Sequence, residues 1–469
     1  MSQALLDPKP STSSSEATPI ARAVYIETLG CQMNKNDSEL MLGLLEKQGF
    51  SPVFDPKKAD LLIINTCQIR GQAEDKAYSY LGRWGSLKKQ RPEMKIAMAG
   101  CVAQQTKDGV FKRAPYVDIV FGTQNIHDLP QLVERAYAGE TKVLSVDRQK
   151  DRSTYDFTVD VAPRRESDIS AWVTIIEGCD YFCTYCVVPY TRGRQISRPP
   201  ESILQEVQEL AALGFKEITL LGQTVDSYGR DFTDRQYGLA QLFEALNVID
   251  GIERIRFMTS HPLDLTDEII DAMARLPKVM EYIHLPMQHG NNEVLERMRR
   301  GYTKEAYFEL LDKIYARIPD IAISGDFIVG FPGETEEQFQ DSLDAVRRGR
   351  IDNANTAAYS PRSQTPAGIW VDRGEGVISD AVKARRLSEL NAVVTEQGGI
   401  INSAYQDQTV EILVEGRSRR NPERMTGRTR SNKVVNFDSP FSRTNLLEDA
   451  LVGQLVQVKI IETASFSLL

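Results

Sequence analysis

The chain has 469 residues, 41% of them hydrophobic and 26% charged, enough core for about three soluble domains. Its formal net charge of −9 argues against a protein that coats nucleic acid indiscriminately but leaves room for a local basic face. No run approaches a membrane span and nothing at the start resembles a secretory signal, so the six cysteines are expected as ligands in a reducing cytoplasm, not as disulfides.

Residues 1–20 are rich in Ser, Pro and Thr and read as a disordered tail. Residues 21–146 read as a parallel α/β domain. Three short apolar or mixed runs end in Cys31, Cys67 and Cys101, each at the exit of a buried strand. Helical sequence follows two of them: Asn36, Asp37 or Ser38 can cap a helix over Glu39–Gln48, and a second begins at Gly71. Strand then helix, repeated, implies a parallel sheet whose strand ends carry the ligand site. Any one of these cysteines is explained as a buried inert thiol. Three in the same position relative to three strands point to a shared three-thiolate iron–sulfur site.

Residues 147–168 are polar and irregular and read as a linker. In residues 169–400, strand candidates recur at Trp172–Glu177, Glu217–Gly222, Arg254–Thr259, Tyr282–Pro286, Ala322–Val329 and Asn355–Tyr359, each followed by helical sequence. Six such units predict an open (βα)6 partial TIM barrel with its site at the strands' C-terminal ends. There the first unit carries Cys179, Cys183 and Cys186 in a C-x3-C-x2-C run. Three thiolates can hold three irons of a 4Fe–4S cube and leave the fourth open to a small molecule, whereas structural zinc normally takes four protein ligands. A zinc knuckle, or a disulfide with a spare thiol, is the alternative.

The other strand ends supply Gly222 and Gln223, Ser260 and His261, Gln288 and His289, and Gly330. Gly330 opens a glycine-rich turn that lets backbone approach a ligand, and Thr335 with Gln338 forms a capping box for the next helix. His284, inside an apolar run, reads as a core residue, and His261 and His289 are candidate site residues. Arg192, Arg194, Arg297, Arg299 and Arg300 are candidates to line an entrance for a polyanion.

Residues 402–467 alternate apolar with polar residues over Thr409–Gly416, Met425–Asn436 and Leu451–Ile461, predicting a small β-barrel. Between Gly416 and Lys433 seven cations, among them Arg428, Arg430 and Lys433, face the single acid Glu423. Those three are the expected RNA-phosphate contacts; a solvated charged hairpin is the plain alternative.

The pattern Cys-x3-Cys-x-Tyr185-Cys186 resembles the radical S-adenosylmethionine superfamily. Thr28-Leu-Gly-Cys-Gln-Met-Asn34, Cys186-Val-Val-Pro-Tyr-Thr-Arg-Gly193, Leu220-Leu-Gly-Gln223, Phe327 to Thr335 and Tyr359 to Pro366 narrow the likeness to methylthiotransferases, most similar to those that modify isopentenyladenosine beside the tRNA anticodon. The C-terminal domain then resembles a TRAM module. The resemblance implies two 4Fe–4S clusters, a radical-generating one on Cys179, Cys183 and Cys186 and an auxiliary one on Cys31, Cys67 and Cys101 that presents sulfur. It further implies S-adenosylmethionine as methyl donor and radical source, with Tyr185, Gly222, Gln223 and Gly330 against it. The expected partners are a tRNA anticodon stem-loop and a low-potential electron donor such as flavodoxin or ferredoxin, with the enzyme a cytoplasmic monomer and no membrane partner. Sister activities on threonylcarbamoyladenosine or a ribosomal-protein aspartate would keep all six cysteines, and a non-enzymatic Fe–S electron carrier or RNA-binding sensor is the rival from another class. Thr224 and Asp226 stand where asparagines are expected, and His289 where a serine is common.

Overall fold

A computed structural model describes residues 22–68, 71–147, 157, 163–234, 237–438 and 450–469. The expected tail, and most of the expected linker, lie outside the described residues.

The N-terminal region is one parallel sheet of β1 (Arg22–Thr28), β2 (Phe50–Pro52), β3 (Leu61–Thr66), β4 (Lys95–Gly100), β5 (Ile119–Phe121) and β6 (Val143–Ser145). The spatial order is β2-β1-β3-β4-β5-β6. Helices α1 (Gln32–Lys47), α2 (Gly71–Gln90), α3 (Cys101–Thr106), α4 (Gly109–Arg113) and α5 (Leu129–Tyr137) follow the strands. β3 is buried along its whole length because alternate side chains enter opposite cores, Leu61 and Ile63 on one face and Leu62 and Ile64 on the other. The chain direction across the sheet reverses between β1 and β3, which opens a crevice at their C-terminal ends.

α1 starts seven residues before the expected Glu39. The residues read as caps lie inside the helix because their side chains have tertiary partners instead. Asp37 pairs with Arg192, Asn36 donates to Thr174 Oγ1 and Ser38 meets Thr28.

The central region begins with β7 (Ser170–Thr174), continues through a short antiparallel ribbon of β8 (Ile176–Glu177) and β9 (Ile196–Ser197), and then β10 (Glu217–Leu221), β11 (Arg254–Phe257), β12 (Tyr282–His284), β13 (Ala322–Val329) and β14 (Asn353–Ala358). β7, β10 and β11 form one parallel sheet and β12, β13 and β14 another. A bridge at Ile255 and Val279 and a Ser260 N–H to His284 O bond of 3.0 Å join them into six consecutive strands. Among the described residues no pairing joins β7 to β14, so the barrel is open.

Its helices are α6 (Val188–Thr191), α7 (Pro200–Ala212), α8 (Leu239–Asn247), α9 (Asp267–Arg275), α10 (Asn292–Arg297), α11 (Lys304–Arg317), α12 (Glu336–Arg348), α13 (Pro366–Asp372) and α14 (Asp380–Ser403). Ile218, Leu220, Ile255, Phe257, Ile283, Ile323, Phe327 and Val329 share the outer core with these helices. By the two-residue period of a strand, the alternate residues Glu217, Arg254, Arg256, His284, Ser324 and Asp326 face inward. Thr335 and Gln338 form the expected capping box at the start of α12.

The C-terminal region is a six-stranded sheet of β15 (Thr409–Arg417), β16 (Met425–Thr429), β17 (Val434–Phe437), β18 (Leu455–Lys459), β19 (Thr463–Ala464) and β20 (Ser467–Leu468). The expected strand over Met425–Asn436 is instead the hairpin β16–β17, turned at Arg430–Lys433 with Asn432 at φ +63°. Among the described residues no helix is long and apolar enough to cross a membrane.

Candidate functional site

Cys31 follows β1 and caps α1, Cys67 follows β3, and Cys101 opens α3 directly after β4, so three adjacent strand ends deliver the thiols. Gly30 and Gly100 make the approach possible. Both hold positive φ, and a Cβ would lie 2.4 Å from Cys67 Cβ in one case and 2.3 Å from the Thr66 carbonyl in the other. Buried Asn34 donates to Asn65 Oδ1 and the Thr66 carbonyl, both at 3.1 Å, and accepts from Cys31 Sγ at 3.4 Å. The Cys67 thiol donates a hydrogen bond to that of Cys31 and, with the Arg192 guanidinium, holds it down to about 6 against the cost of burial. Burial raises Cys101, opposed by the same Arg192.

Arg192 comes from the other region, six residues after Cys186. It was expected at an entrance, but it is buried, with ion pairs to Asp37 at 2.5 Å and Glu177 at 2.8 Å. Thr123 Oγ1 donates to the Thr191 carbonyl at 2.9 Å, and Gln124 Nε2 to that of Arg192 at 3.2 Å. The segment after the cysteine triplet thus runs into the N-terminal thiol site.

The triplet loop crosses the barrel mouth. The Tyr181 N–H donates to Cys179 Sγ at 3.4 Å, the Arg300 guanidinium to Cys183 Sγ at 3.5 Å, and Thr184 Oγ1 fastens the loop to the Arg297 carbonyl at 2.8 Å. Burial pushes the Cys179 thiol up to about 11 and Cys186 higher still, so as bare side chains these are protonated and become thiolates on a metal. Arg300, read from sequence as an entrance residue, is a buried cation against the loop. All six cysteines are free. Among the described residues no group of three His, Cys, Asp or Glu side chains is gathered as around a single metal ion. Two sets of three cysteines, one backed by Arg192 and the other by Arg300, fit a cluster whose charge is spread over several irons.

The expected nucleotide contacts come from the ends of β10 and β13 and from the cysteine loop. Gly222 and Gln223 follow β10, and Gln223 Oε1 is buried without a partner, as a group awaiting a ligand would be. Tyr185 packs with Val294, Met298, Phe331 and Tyr359. The Gly330 N–H donates to Glu334 and Lys383 lies across it, where a Cβ would be 2.5 Å from Lys383 Cγ. His289 Nε2 bonds Glu334 at 2.8 Å and Arg386 closes on the same carboxylate at 2.7 Å, a buried support for α14. His284 Nε2 bonds Asp326 at 3.1 Å, whereas its Nδ1 is buried and unpartnered, unlike a satisfied core histidine.

The three cations expected at RNA phosphates have partners within the protein. Arg430 forks onto Glu281 with both contacts at 2.7 Å and also reaches the Pro277 and Val279 carbonyls. Lys433 pairs with Asp352, and Arg428 with Glu415 at 2.8 Å. From inside the barrel, Arg254 donates to the Arg428 carbonyl at 2.7 Å, and Arg256 to those of Thr429 at 2.9 Å and Arg430 at 3.0 Å. The β16–β17 turn therefore lies against the barrel floor, with Arg430 and Lys433 paired across that joint and Arg428 paired within the C-terminal sheet. Arg419 and Arg420, in the β15–β16 loop, are exposed.

Known proteins agree with this architecture. Residues 23–122 match the family described as Uncharacterized protein family UPF0004, residues 173–346 the Radical SAM superfamily and residues 403–469 the TRAM domain. Among solved structures, a radical S-adenosylmethionine methyltransferase, TsrM, from Kitasatospora setae shares the fold at TM-score 0.55 and 16% identity, covering 75% of this chain and 76% of that one. Residues 173–346 thus carry a radical S-adenosylmethionine domain. The chain is 45% identical over 449 residues, 95% of its length, to the tRNA-2-methylthio-N(6)-dimethylallyladenosine synthase of Anoxybacillus flavithermus, of which 82% is covered. To that of Carboxydothermus hydrogenoformans it is 44% identical over 452 residues, covering 95% of this chain and 98% of that one. The chain belongs to the family of tRNA-2-methylthio-N(6)-dimethylallyladenosine synthases.

Proposed function

We propose that the chain methylthiolates C2 of N6-isopentenyladenosine beside the anticodon of tRNA, with two 4Fe–4S clusters and S-adenosylmethionine as methyl donor and radical source. The observation that carries this reading is the meeting of Cys31, Cys67 and Cys101 at one sheet edge, joined through Arg192 to the loop of Cys179, Cys183 and Cys186. Cys179, Cys183 and Cys186 would hold the cluster that would supply the electron for cleaving S-adenosylmethionine to methionine and a 5′-deoxyadenosyl radical, and Cys31, Cys67 and Cys101 one that would present sulfur.

The chain's residues supply position and exclusion of water. Thr184, Arg300 and the Tyr181 N–H fix the triplet loop, Gln223 offers a buried acceptor at the mouth, and Arg254 and Arg256 hold the β16–β17 turn against the floor. Residues 21–146, 169–400 and 402–467 act as sulfur-presenting, radical-generating and RNA-directed domains. Arg419 and Arg420 are the cations offered to RNA phosphates. The electron comes from a low-potential flavodoxin- or ferredoxin-type donor in the cytoplasm.

The test replaces Cys31, Cys67 and Cys101 together with Ala. About half the iron should remain, by four irons per cluster, and S-adenosylmethionine should still be cleaved to 5′-deoxyadenosine while no 2-methylthio nucleoside forms. Wild-type amounts of that nucleoside would show these cysteines to be structural only.

A further inference from the structure

The imidazole of His261 is held on several sides and left with one unused group. It lies flat on Tyr181 with ring centroids 3.8 Å apart and planes 9° apart, and Tyr302 meets it edge-on at 5.7 Å. Nδ1 accepts from the Leu263 N–H at 3.3 Å, which places the ring proton on Nε2. The backbone N–H of His261 donates to Asp226 Oδ2 at 2.7 Å. Nε2 is buried and has no partner. Ser260 Oγ, Asp226 Oδ1 and Asp264 Oδ2 are buried and unpartnered in the same pair of loops after β10 and β11. Thr259, two residues earlier, takes φ +72°, a conformation that β-branched residues avoid and that persists where a fold needs it. Burial, reinforced by Arg300 and Arg230, pushes the His261 pKa down to about 2, so the ring stays a neutral donor. An oriented, desolvated N–H without an acceptor is costly unless a ligand completes it. Tyr181, on which it stacks, belongs to the cysteine loop.

We propose that His261 is a substrate-contacting residue that donates Nε2–H to one of the two ring nitrogens flanking C2 of the target adenine, thereby aligning the C2–H bond for abstraction. The inference rests on the methylthiolation reading above. Adenine places N1 and N3 on either side of C2, so one fixed donor orients the reacting carbon whichever nitrogen it takes. Tyr181 and Asp226 are positioning residues, one fixing the ring plane and the other the backbone that carries it.

The experiment uses reconstituted holoenzyme and a stem-loop RNA carrying isopentenyladenosine deuterated at C2. His261→Phe keeps a flat ring against Tyr181 and removes the donor; His261→Gln restores a side-chain N–H near the Nε2 position. The Phe variant should bind S-adenosylmethionine with unchanged affinity and still form 5′-deoxyadenosine, while deuterium transfer into it and methylthio product both fall about tenfold or more. The Gln variant should recover part of both. Wild-type deuterium transfer in the Phe variant overturns the proposal, as does a loss of S-adenosylmethionine affinity that accounts for the lost product, because the ring would then serve the cofactor. Failure of the unmodified holoenzyme to make any methylthio product would instead overturn the parent reading, and the wild-type control tells the two apart.

Discussion

Arg192 shows how a single side chain can tie two catalytic regions together. Its partners Asp37 and Glu177 are as buried as it is, and burial outweighs attraction enough to push Glu177 up to about 7. Removing Arg192 strips two buried carboxyls of their counter-charge and hydrogen bonds, and burial then drives them to take up protons. Arg192→Met should therefore destabilise the protein by about 3–5 kcal/mol and lower iron content, whereas loss below about 1 kcal/mol in denaturant unfolding would show the group to be solvated. Sequence placed all six cysteines because their spacing and strand-end positions are local features. It misplaced Arg192 and Arg300, whose partners lie far away in the chain, Asp37 being 155 residues and Cys183 117 residues distant. Nothing local distinguishes an arginine that enters a protein from one that lines its rim.

At the scale of elements, α12 and α14 are joined by Glu336, which accepts from Arg385 at 2.6 Å and from Arg386 at 3.2 Å. Arg385 first, and then Arg386, holds the Glu336 carboxyl down to about 2. A depressed carboxylate stabilises the fold above its unfolded value of about 4.5 and loses that effect as pH falls through its folded value. Glu336→Gln should thus lower the thermal midpoint at pH 7, with the difference shrinking below pH 4.5; a pH-independent difference would exclude the ion pairs as its origin. The β16–β17 hairpin makes a second prediction. Replacing Arg419 and Arg420 with Ala should flatten the slope of log RNA affinity against log salt by roughly 1.4 to 1.8, at about 0.7 to 0.9 per phosphate contact. Replacing Arg428, Arg430 and Lys433 should lower thermal stability and leave that slope nearly unchanged. The reverse pattern would return the RNA contacts to the hairpin. The strand pattern through Met425–Asn436 was legible, but the turn within it was not, since only one residue of positive φ, Asn432, interrupts a run that otherwise suits a strand. The start of α1 was hidden for a related reason: Asn36, Asp37 and Ser38 have capping chemistry, and only tertiary structure shows it used elsewhere.

For the whole molecule, the six-strand order and the site at the strand ends were legible because strand and helix alternate along the chain. The closure of the barrel floor was not, because it joins residues 174 positions apart, as between Arg254 and Arg428. That closure bears on synthesis. The guanidiniums of Arg254 and Arg256 leave the ribosome long before the carbonyls of Arg428, Thr429 and Arg430 that receive them. A nascent chain that has reached only α14 leaves the Arg254 guanidinium without these acceptors, while Arg256 keeps its pair with Glu217 at 2.8 Å. The β16–β17 hairpin, made only after the whole barrel, thus completes the floor, and a product terminated at α14 would lack these bonds even with every cysteine in place.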